Sequence, residues 1–402
     1  MRKINQTNER VILHADANNF FASCECLTRP ELKNKPVAVT GNPKKRTGII
    51  LAKNEIAKKL GVATGQTIGE ALALCPELVC LPPHYDKYEE ISSLLHNIYL
   101  DYSPLVEPLG LDECWIDITG CEKYLNKTGI QVADELRQRV KKEIGITISV
   151  GVSFCKIYAK LGSDLKKPDA TTVIPYKHLK EIAYPLPLNS IVGIGRRLDK
   201  KFKAISINTI GDFVKLDDSF LNAIMGINGT NLKSDLLGER ITPVANYYTL
   251  PPPKSIGNGT TATSDLTKRH EIKKLIFFLA QKISARLINH HVKGQTLSLT
   301  IKLKTLKTIH KSKKILPTNT INDIATQALI IFDEIYKYNY PIRALRIKLS
   351  SLISDNYQQL SLFDPVKQDY SQTINEINSK YGKIFLASNT ASFINPTTHP
   401  QE

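Results

Sequence analysis

The sequence predicts an α/β fold divided among several domains, and three observations carry that prediction. Short apolar runs of strand character alternate with amphipathic helical stretches over residues 10–175, the pattern of a sheet covered by helices. Three consecutive prolines, Pro251-Pro252-Pro253, then interrupt the chain. Beyond them, two segments alternate apolar and polar residues with period two, which gives each strand one apolar and one basic face. The 402 residues accommodate about two to four domains.

The elements follow in order. Arg10 to Asp16 is an apolar run that delivers a carboxylate at its tip. Lys53 to Gly61 has helical spacing, with Ile56, Ala57 and Leu60 apolar and Gly61 as the stop. Residues 85–102 predict a second helix, ended by Pro104, and Cys114 to Ile118 a second buried strand. Residues 129–143 predict a charged amphipathic helix, and Ile146 to Val152 another strand. Residues 187–240 break into short helical pieces between glycines. The prolines of 241–253 predict an interdomain linker. Helical spacing returns at 268–290 and 321–337. Between and after them, 295–304 sets Leu297, Leu299, Ile301 and Leu303 against Thr296, Ser298, Thr300, Lys302 and Lys304. Likewise 342–349 sets Leu345, Ile347 and Leu349 against Arg346 and Lys348. From about 353 the chain is polar and irregular, the composition of a tail with little structure.

Charge and composition narrow the function. Hydrophobic residues at 42% and charged residues at 23% are a globular composition and argue against a disordered chain. No apolar run approaches the ~20 residues of a membrane span, and the polar start argues against a secretory signal. Seven cysteines with no CxxC pair fit neither a disulfide framework nor a zinc site, and point to reduced thiols in the cytoplasm. The formal net charge is +16, and residues 241–350, with 18 Lys and Arg against 5 Asp and Glu, carry +13 of it. A charge so placed favours a polyanion, of which nucleic acid is the commonest.

The acidic residues that run against this trend are the candidate chemistry. Asp16 ends the first strand, and Asp112-Glu113 precedes the strand 114–118 after the turn-like Pro108-Leu109-Gly110. An isolated strand-end acid is more often a turn cap. Several acids at the ends of adjacent buried strands repel one another unless a divalent cation neutralises them, and an oxygen-only ligand set suits magnesium or manganese.

The flanking residues give these acids a context. His14-Ala15-Asp16-Ala17-Asn18-Asn19-Phe20-Phe21-Ala22-Ser23-Cys24-Glu25 resembles the first catalytic motif of the Y-family translesion DNA polymerases, and Leu111-Asp112-Glu113-Cys114-Trp115-Ile116-Asp117 the second. Three further segments resemble that family in order: Ala52 to Val62 its fingers helix, Gly151 to Lys160 with Asp164, Lys167 and Pro168 its late palm, and Val192-Gly193-Ile194-Gly195-Arg196-Arg197-Leu198 its thumb hairpin. Asn18 and the Arg196-Arg197 pair resemble the UmuC branch more than the DinB branch.

The resemblance implies a right-hand polymerase: palm and fingers over 1–185 (fingers about 27–80), a helix-hairpin-helix thumb over 186–240, a linker over 241–253, a βαββαβ little finger over 254–352 and a flexible tail over 353–402. It implies Asp16, Asp112 and Glu113 as ligands of two Mg²⁺ ions, for which Mn²⁺ can substitute, with the Ala17 carbonyl as a further ligand. Asn18, Asn19, Phe20, Phe21, Lys53, Lys58 and Lys167 line the dNTP site, with Phe20 in the core and Phe21 as the steric gate against a 2′-hydroxyl. Two departures stand out: Glu55 falls where many relatives carry an aromatic, and Gly110 where a serine is usual. Gly193, Gly195, Arg196, Arg197, Lys302, Lys304, Arg346 and Lys348 are the implied contacts to primer-template DNA. The implied protein is an error-prone polymerase without proofreading that works as a cytoplasmic, nucleoid-associated monomer in the SOS response, with UmuD-like or RecA proteins as candidate accessories. A non-catalytic DNA-binding factor and a two-metal nuclease are the competing classes; the complete acidic triad opposes the first, and the fingers and gate matches oppose the second.

In the tail, Gln359-Leu360-Ser361-Leu362-Phe363 resembles the bacterial sliding-clamp-binding pentapeptide, a glutamine hydrogen bond followed by a Leu-Phe plug for an apolar pocket. Deleting 359–363 should abolish stimulation by the clamp and spare basal synthesis; primer extension with and without clamp reads both, and stimulation that survives the deletion removes the assignment.

Overall fold

The computed structural model describes residues 10–42, 48–337 and 340–356, with 373, 376 and 377, so the pentapeptide 359–363 lies outside the described residues. The chain divides into two units, Met1–Leu250 and Pro251–Glu402.

The first unit contains β1 (Ile12–Ala17), β2 (Val37–Thr40), β3 (Ile50–Lys53), β4 (Val79–Leu81), β5 (Val106–Leu109), β6 (Glu113–Asp117), β7 (Ile148–Ser153) and β8 (Thr171–Ile174). Five of these make one sheet in the order β5-β6-β1-β7-β8, with β1 antiparallel to both neighbours. Period two then sorts the side chains by face. Leu13, Ala15, Cys114, Ile116, Ile148 and Val150 enter the main core against the helices Tyr85–Leu100 and Gly129–Glu143. His14, Asp16, Glu113 and Ser149 belong to the other parity, because Asp16 pairs with Glu113 and with Ser149. The helix Lys156–Leu165 crosses that second face so closely that a Cβ on Gly151 would stand 1.9 Å from the Ala159 carbonyl oxygen.

Residues 27–80 build a three-stranded sheet, β3-β2-β4, with its own small core of Ala38, Ile50, Ala57, Val62 and Ile68. The helix expected from Lys53 begins two residues later. Lys53 ends β3, Asn54 caps the helix by accepting from the Ala57 N–H, and the helix runs Glu55–Lys59. The helices Tyr85–Leu100 and Gly129–Glu143 match the expected periodicity closely, and the latter opens on a capping box of Thr128 and Gln131. Residues 188–236 fold as short helices around Phe202, Ile210, Phe213 and Leu221.

The stretch expected to be a linker is partly an ordered strap. Val244 is buried, the Ala245 N–H donates to Glu107 Oε2 at 2.8 Å, and the Tyr247 N–H donates to the Pro104 carbonyl at 3.0 Å. The strap therefore belongs to the first unit, which ends at Leu250, just before the prolines. The seven cysteines are free, and burial pushes the Cys24 thiol up to about 12. Among the described residues no helix is long and apolar enough to cross a membrane.

The second unit has the order βαββαβ: β9 (Ser255–Leu266), a helix Arg269–Asn289, β10 (Val292–Leu303), β11 (Thr308–Thr318), a helix Ile321–Ile335 and β12 (Ile342–Ser354). The sheet runs β11-β10-β12-β9, and both helices contribute to one core with Leu297, Leu299, Ile301, Leu345, Ile347 and Leu349. The register sets Ser298 beside Lys348 and Thr300 beside Arg346, so the opposite face carries hydroxyls and cations. Lys304 departs from its expected place. β10 ends at Leu303 after a register shift, and the Lys304 ammonium lies 3.8 Å from Asp265. β9 and β11 carry little periodicity of their own, and pairing with β12 and β10 makes them strands.

Gly151→Ala should destabilise the first unit by about 2–4 kcal/mol, the cost of forcing a methyl group into a packed backbone contact. Denaturant unfolding of the variant measures it; an unchanged midpoint would mean that the helix Lys156–Leu165 can retreat freely from the sheet.

Candidate active site

The site forms where β1 ends and β6 begins. Asp16 is the fifth residue of its strand and directly opposes Glu113, the first of β6. The Ala17 N–H donates to the Asp112 carbonyl at 2.9 Å, which ties the turn carrying Asp112 to the tip of β1. Gly110 explains its own departure: it turns the chain out of β5 with φ +84°, a left-handed conformation that favours glycine over serine. The loop is thus tight enough that a Cβ there would lie 3.6 Å from Asp112 Oδ1.

Two lysines from the crossing helix and its exit meet these acids. Lys167 Nζ is 2.8 Å from Asp16 Oδ2 and 2.9 Å from Asp164 Oδ1. Lys160 Nζ is 2.5 Å from Glu113 Oε2, 3.5 Å from Asp164 Oδ2 and 3.8 Å from Asp16 Oδ2. His14, fully buried, stands between Ser163 Oγ at 2.8 Å and Glu113 Oε2 at 3.4 Å. Burial raises the Asp16 carboxyl, with Lys167 opposing the shift. Burial and then the charges of Asp16 and Glu113 push Asp112 up to about 6. At Glu113 burial works upward, but the hydrogen bonds from His14 and Lys160 prevail and hold it at about 2. Asp16 likewise raises Lys167 against the opposing effect of burial.

Lys160, Asp164 and His14 had no assigned role in the sequence, although all three stand within or beside the quoted motifs. The available signal was helical spacing. Lys160 and Asp164 are four apart on one face, and Lys160 is buried although charged.

The donor set of three carboxylates and the Ala17 carbonyl suits a hard divalent cation. The Asp112 carboxyl is raised first by burial and then by the charges of Asp16 and Glu113, and a bound cation would offset both, so the residues fit such an ion. Among the described residues, no three His, Cys, Asp or Glu groups close on one point as a preformed cage would. Asp16 and Glu113 are instead turned toward the lysines.

The other expected residues divide between neighbouring and distant places. Phe20 is buried in the core, whereas Phe21 is half-buried and its ring lies parallel to Tyr88, with centroids 4.4 Å apart and 12° between planes. Asn18 is buried and engaged: its Nδ2 donates to Thr147 Oγ1 at 3.1 Å, and its Oδ1 accepts from Ser149 Oγ at 3.0 Å. Those bonds hold the strand tip, so its amide is occupied inside the fold. Asn19 takes a left-handed conformation, φ 53°, and donates to Glu55 Oε1 at 3.0 Å; Lys58 Nζ reaches the same oxygen at 3.5 Å. Glu55 therefore bridges the β1 turn to the lysine-bearing helix. Lys53 donates to Thr64 Oγ1 at 3.2 Å, and burial followed by repulsion from Lys58 lowers its pKa.

Farther along the chain, Gly193 has φ +99° and open space where a Cβ would stand, and Gly195 caps the helix Arg196–Lys203 without a side chain. Arg196 and Arg197 are exposed at that helix start. The element before the hairpin is one 3-10 turn, Leu188–Ser190. In the second unit, Lys302, Arg346 and Lys348 are exposed on the sheet face away from the helices.

Comparison with known proteins places these features. Residues 15–164 match the impB/mucB/samB family, and residues 253–362 match the C-terminal domain of that family. A DNA polymerase IV of Acetivibrio thermocellus is 41% identical over 371 residues, covering 92% of this chain and 93% of that protein. A DNA polymerase IV of Bacillus velezensis is 35% identical over 384 residues, covering 93% and 91%. The solved structure of a Y-family DNA polymerase chimera of Dbh and Dpo4 shares the fold, with TM-score 0.75 and 23% identity, over 86% of this chain and 99% of that one. The fold and these relatives define a DNA-directed DNA polymerase of multidomain α/β architecture. The chain belongs to the impB/mucB/samB family, within the Y-family of translesion DNA polymerases. The family description does not divide the UmuC branch from the DinB branch, and these two relatives carry the name DNA polymerase IV.

The raised Asp112 carboxyl has a measurable consequence in a metal-free buffer. Its folded value, about 6, lies above the reference 3.8, so the folded state holds the proton more tightly and loses stability as pH rises through that window. Asp112→Asn should therefore be more stable than the natural chain at about pH 7, by roughly 1–2 kcal/mol after allowance for solvent, and the advantage should close near pH 4. Urea unfolding across that range in chelator checks it; a pH-independent difference would contradict the shift.

Proposed function

We propose that the chain transfers nucleotides from dNTP to a primer 3′-hydroxyl opposite damaged template bases, in the SOS response and without proofreading. The observation that carries this reading is the trio Asp16, Asp112 and Glu113 at the tips of two paired strands, with Lys160 and Lys167 as built-in counter-cations. In this reading Asp16, Asp112, Glu113 and the Ala17 carbonyl hold two divalent ions, with Mg²⁺ the expected species and Mn²⁺ able to substitute. When bound, those ions supply activation of the attacking hydroxyl and neutralisation of the leaving pyrophosphate.

The chain's own residues do the rest. Lys167, held at the mouth by Asp16 and Asp164, and Lys53 and Lys58 draw the triphosphate and offset its charge. Phe21 lies beneath the sugar, where its ring collides with a 2′-hydroxyl and excludes it. Glu55 sets the position of Lys58 and Asn19, so it takes over a positioning task where relatives use an aromatic. The five-stranded sheet serves as palm, the β3-β2-β4 sheet as fingers, the residues 186–240 as thumb and the βαββαβ unit as little finger. Gly193, Gly195, Arg196, Arg197, Lys302, Arg346 and Lys348 grip the phosphate backbone without reading sequence. The tail engages the bacterial sliding clamp, and the monomer acts in the cytoplasm with UmuD-like or RecA proteins as candidate accessories.

Primer extension with a single dNTP and Mg²⁺ tests the reading. Asp112→Ala should reduce extension by roughly a thousand-fold or more while leaving DNA affinity within about two-fold. Retained extension would remove the triad from catalysis, and loss of DNA binding together with activity would point to a structural role instead.

A further inference from the structure

The helix Phe20–Cys26 carries a second buried acid that the reaction does not use. Glu25 is 1% exposed, and its Oε1 accepts from the Tyr88 hydroxyl at 2.6 Å and lies 2.8 Å from His84 Nδ1. Arg29 stands 3.9 Å from its other oxygen. A carboxylate taken out of water demands such partners, so its geometry is tightly held.

Those contacts close a circuit with Phe21. Phe21 and Glu25 are four residues apart and so lie on one side of their helix, one turn apart. Tyr88 comes from the facing helix, Tyr85–Leu100, and touches both: its ring lies parallel to Phe21 at 4.4 Å, and its hydroxyl binds Glu25. Tyr85 adds an edge contact to Phe21 at 5.9 Å, and Phe20 packs edge-on against Tyr88 at 6.2 Å. The Tyr88 ring is thus clamped at its hydroxyl end by Glu25 and offers its flat face as the floor under Phe21.

We propose that Glu25 is a positioning residue for sugar discrimination: by holding the Tyr88 hydroxyl it sets the surface on which Phe21 lies, and so the height at which the Phe21 ring meets the nucleotide sugar. This rests on the reading of Phe21 as the gate. A ring rejects one oxygen atom only if it cannot yield by a few tenths of an ångström, and stacking on an immobilised neighbour supplies that stiffness. An unclamped Tyr88 would let Phe21 settle away from the sugar, which admits a ribonucleotide and leaves the deoxynucleotide contact nearly intact.

The test measures single-nucleotide insertion of matched dNTP and rNTP by the full-length chain. Phe21→Ala should lose most of the preference for dNTP, and Tyr88→Phe and Glu25→Ala should each lower that preference roughly ten-fold, with dNTP kcat/KM kept within about three-fold. Glu25→Gln, whose carbonyl still accepts from Tyr88, should retain most of the preference. In a Phe21→Ala background Glu25→Ala should change the preference no further, because the two act through one contact. Tyr88→Phe keeps the ring and the packing, so it remains informative if Glu25→Ala fails to fold. If Phe21→Ala relaxes discrimination while Tyr88→Phe and Glu25→Ala keep it, the proposal is overturned and the gate stands. A parallel loss of dNTP and rNTP insertion with lowered thermal stability would also overturn it, in favour of a structural role. Unchanged discrimination in Phe21→Ala would end the gate reading itself, and the proposal with it.

Discussion

The antiparallel register of β1 between β6 and β7 is the constraint on which the site depends. It sets Asp16 opposite both Glu113 and Ser149, and period two then sends His14, Asp16 and Glu113 to one face and the hydrophobic core to the other. A slip by one residue would bury the acids beneath the helices and expose Leu13 and Ala15. The apolar core of Leu13, Ala15, Ile116 and Val150 is therefore what places the chemistry, because its burial makes the slipped register unaffordable.

Gathering acids in this way is unfavourable by itself, and the helix Lys156–Leu165 offsets part of the cost. It approaches the sheet only because Gly151 has no side chain, and that approach brings Lys160 to Glu113. The charge balance is uneven. Glu113 is held ionised by His14 and Lys160, while Asp112 carries the residual strain as a raised pKa of about 6. A site poised like this trades stability for a place where positive charge is welcome.

Much of this was legible in the sequence, for reasons that differ between elements. The helix 129–143 was readable because amphipathic spacing and a capping box coincide, and β10 and β12 because apolar and polar residues alternate strictly. β9 and β11 were invisible as isolated segments, since their strand character comes from a neighbour's hydrogen bonds. Lys53 was misassigned to a helix by one residue of cap chemistry, the Asn54 side chain that accepts from Ala57. At the site, Asp16, Asp112 and Glu113 stood out as acids at strand ends. Lys160 and His14 did not, because a residue's partner across a sheet and a helix cannot be counted along one strand. The strap 241–250 was masked by Pro243 and the Pro251-Pro252-Pro253 run that follows it, which signal a broken element and say nothing about whether the break is docked.

The ion pairs within the second unit decide where its charge stands open. Lys311 and Lys313 are paired with Glu334, Arg269 with Asp333 and Lys304 with Asp265. The net +13 of residues 241–350 already deducts those acids, and on the open face of the sheet the register sets Lys302, Lys314, Arg346 and Lys348. A polyanion lying along that face would meet these cations rather than the unit's whole formal charge, so its salt dependence there would follow a count of about four.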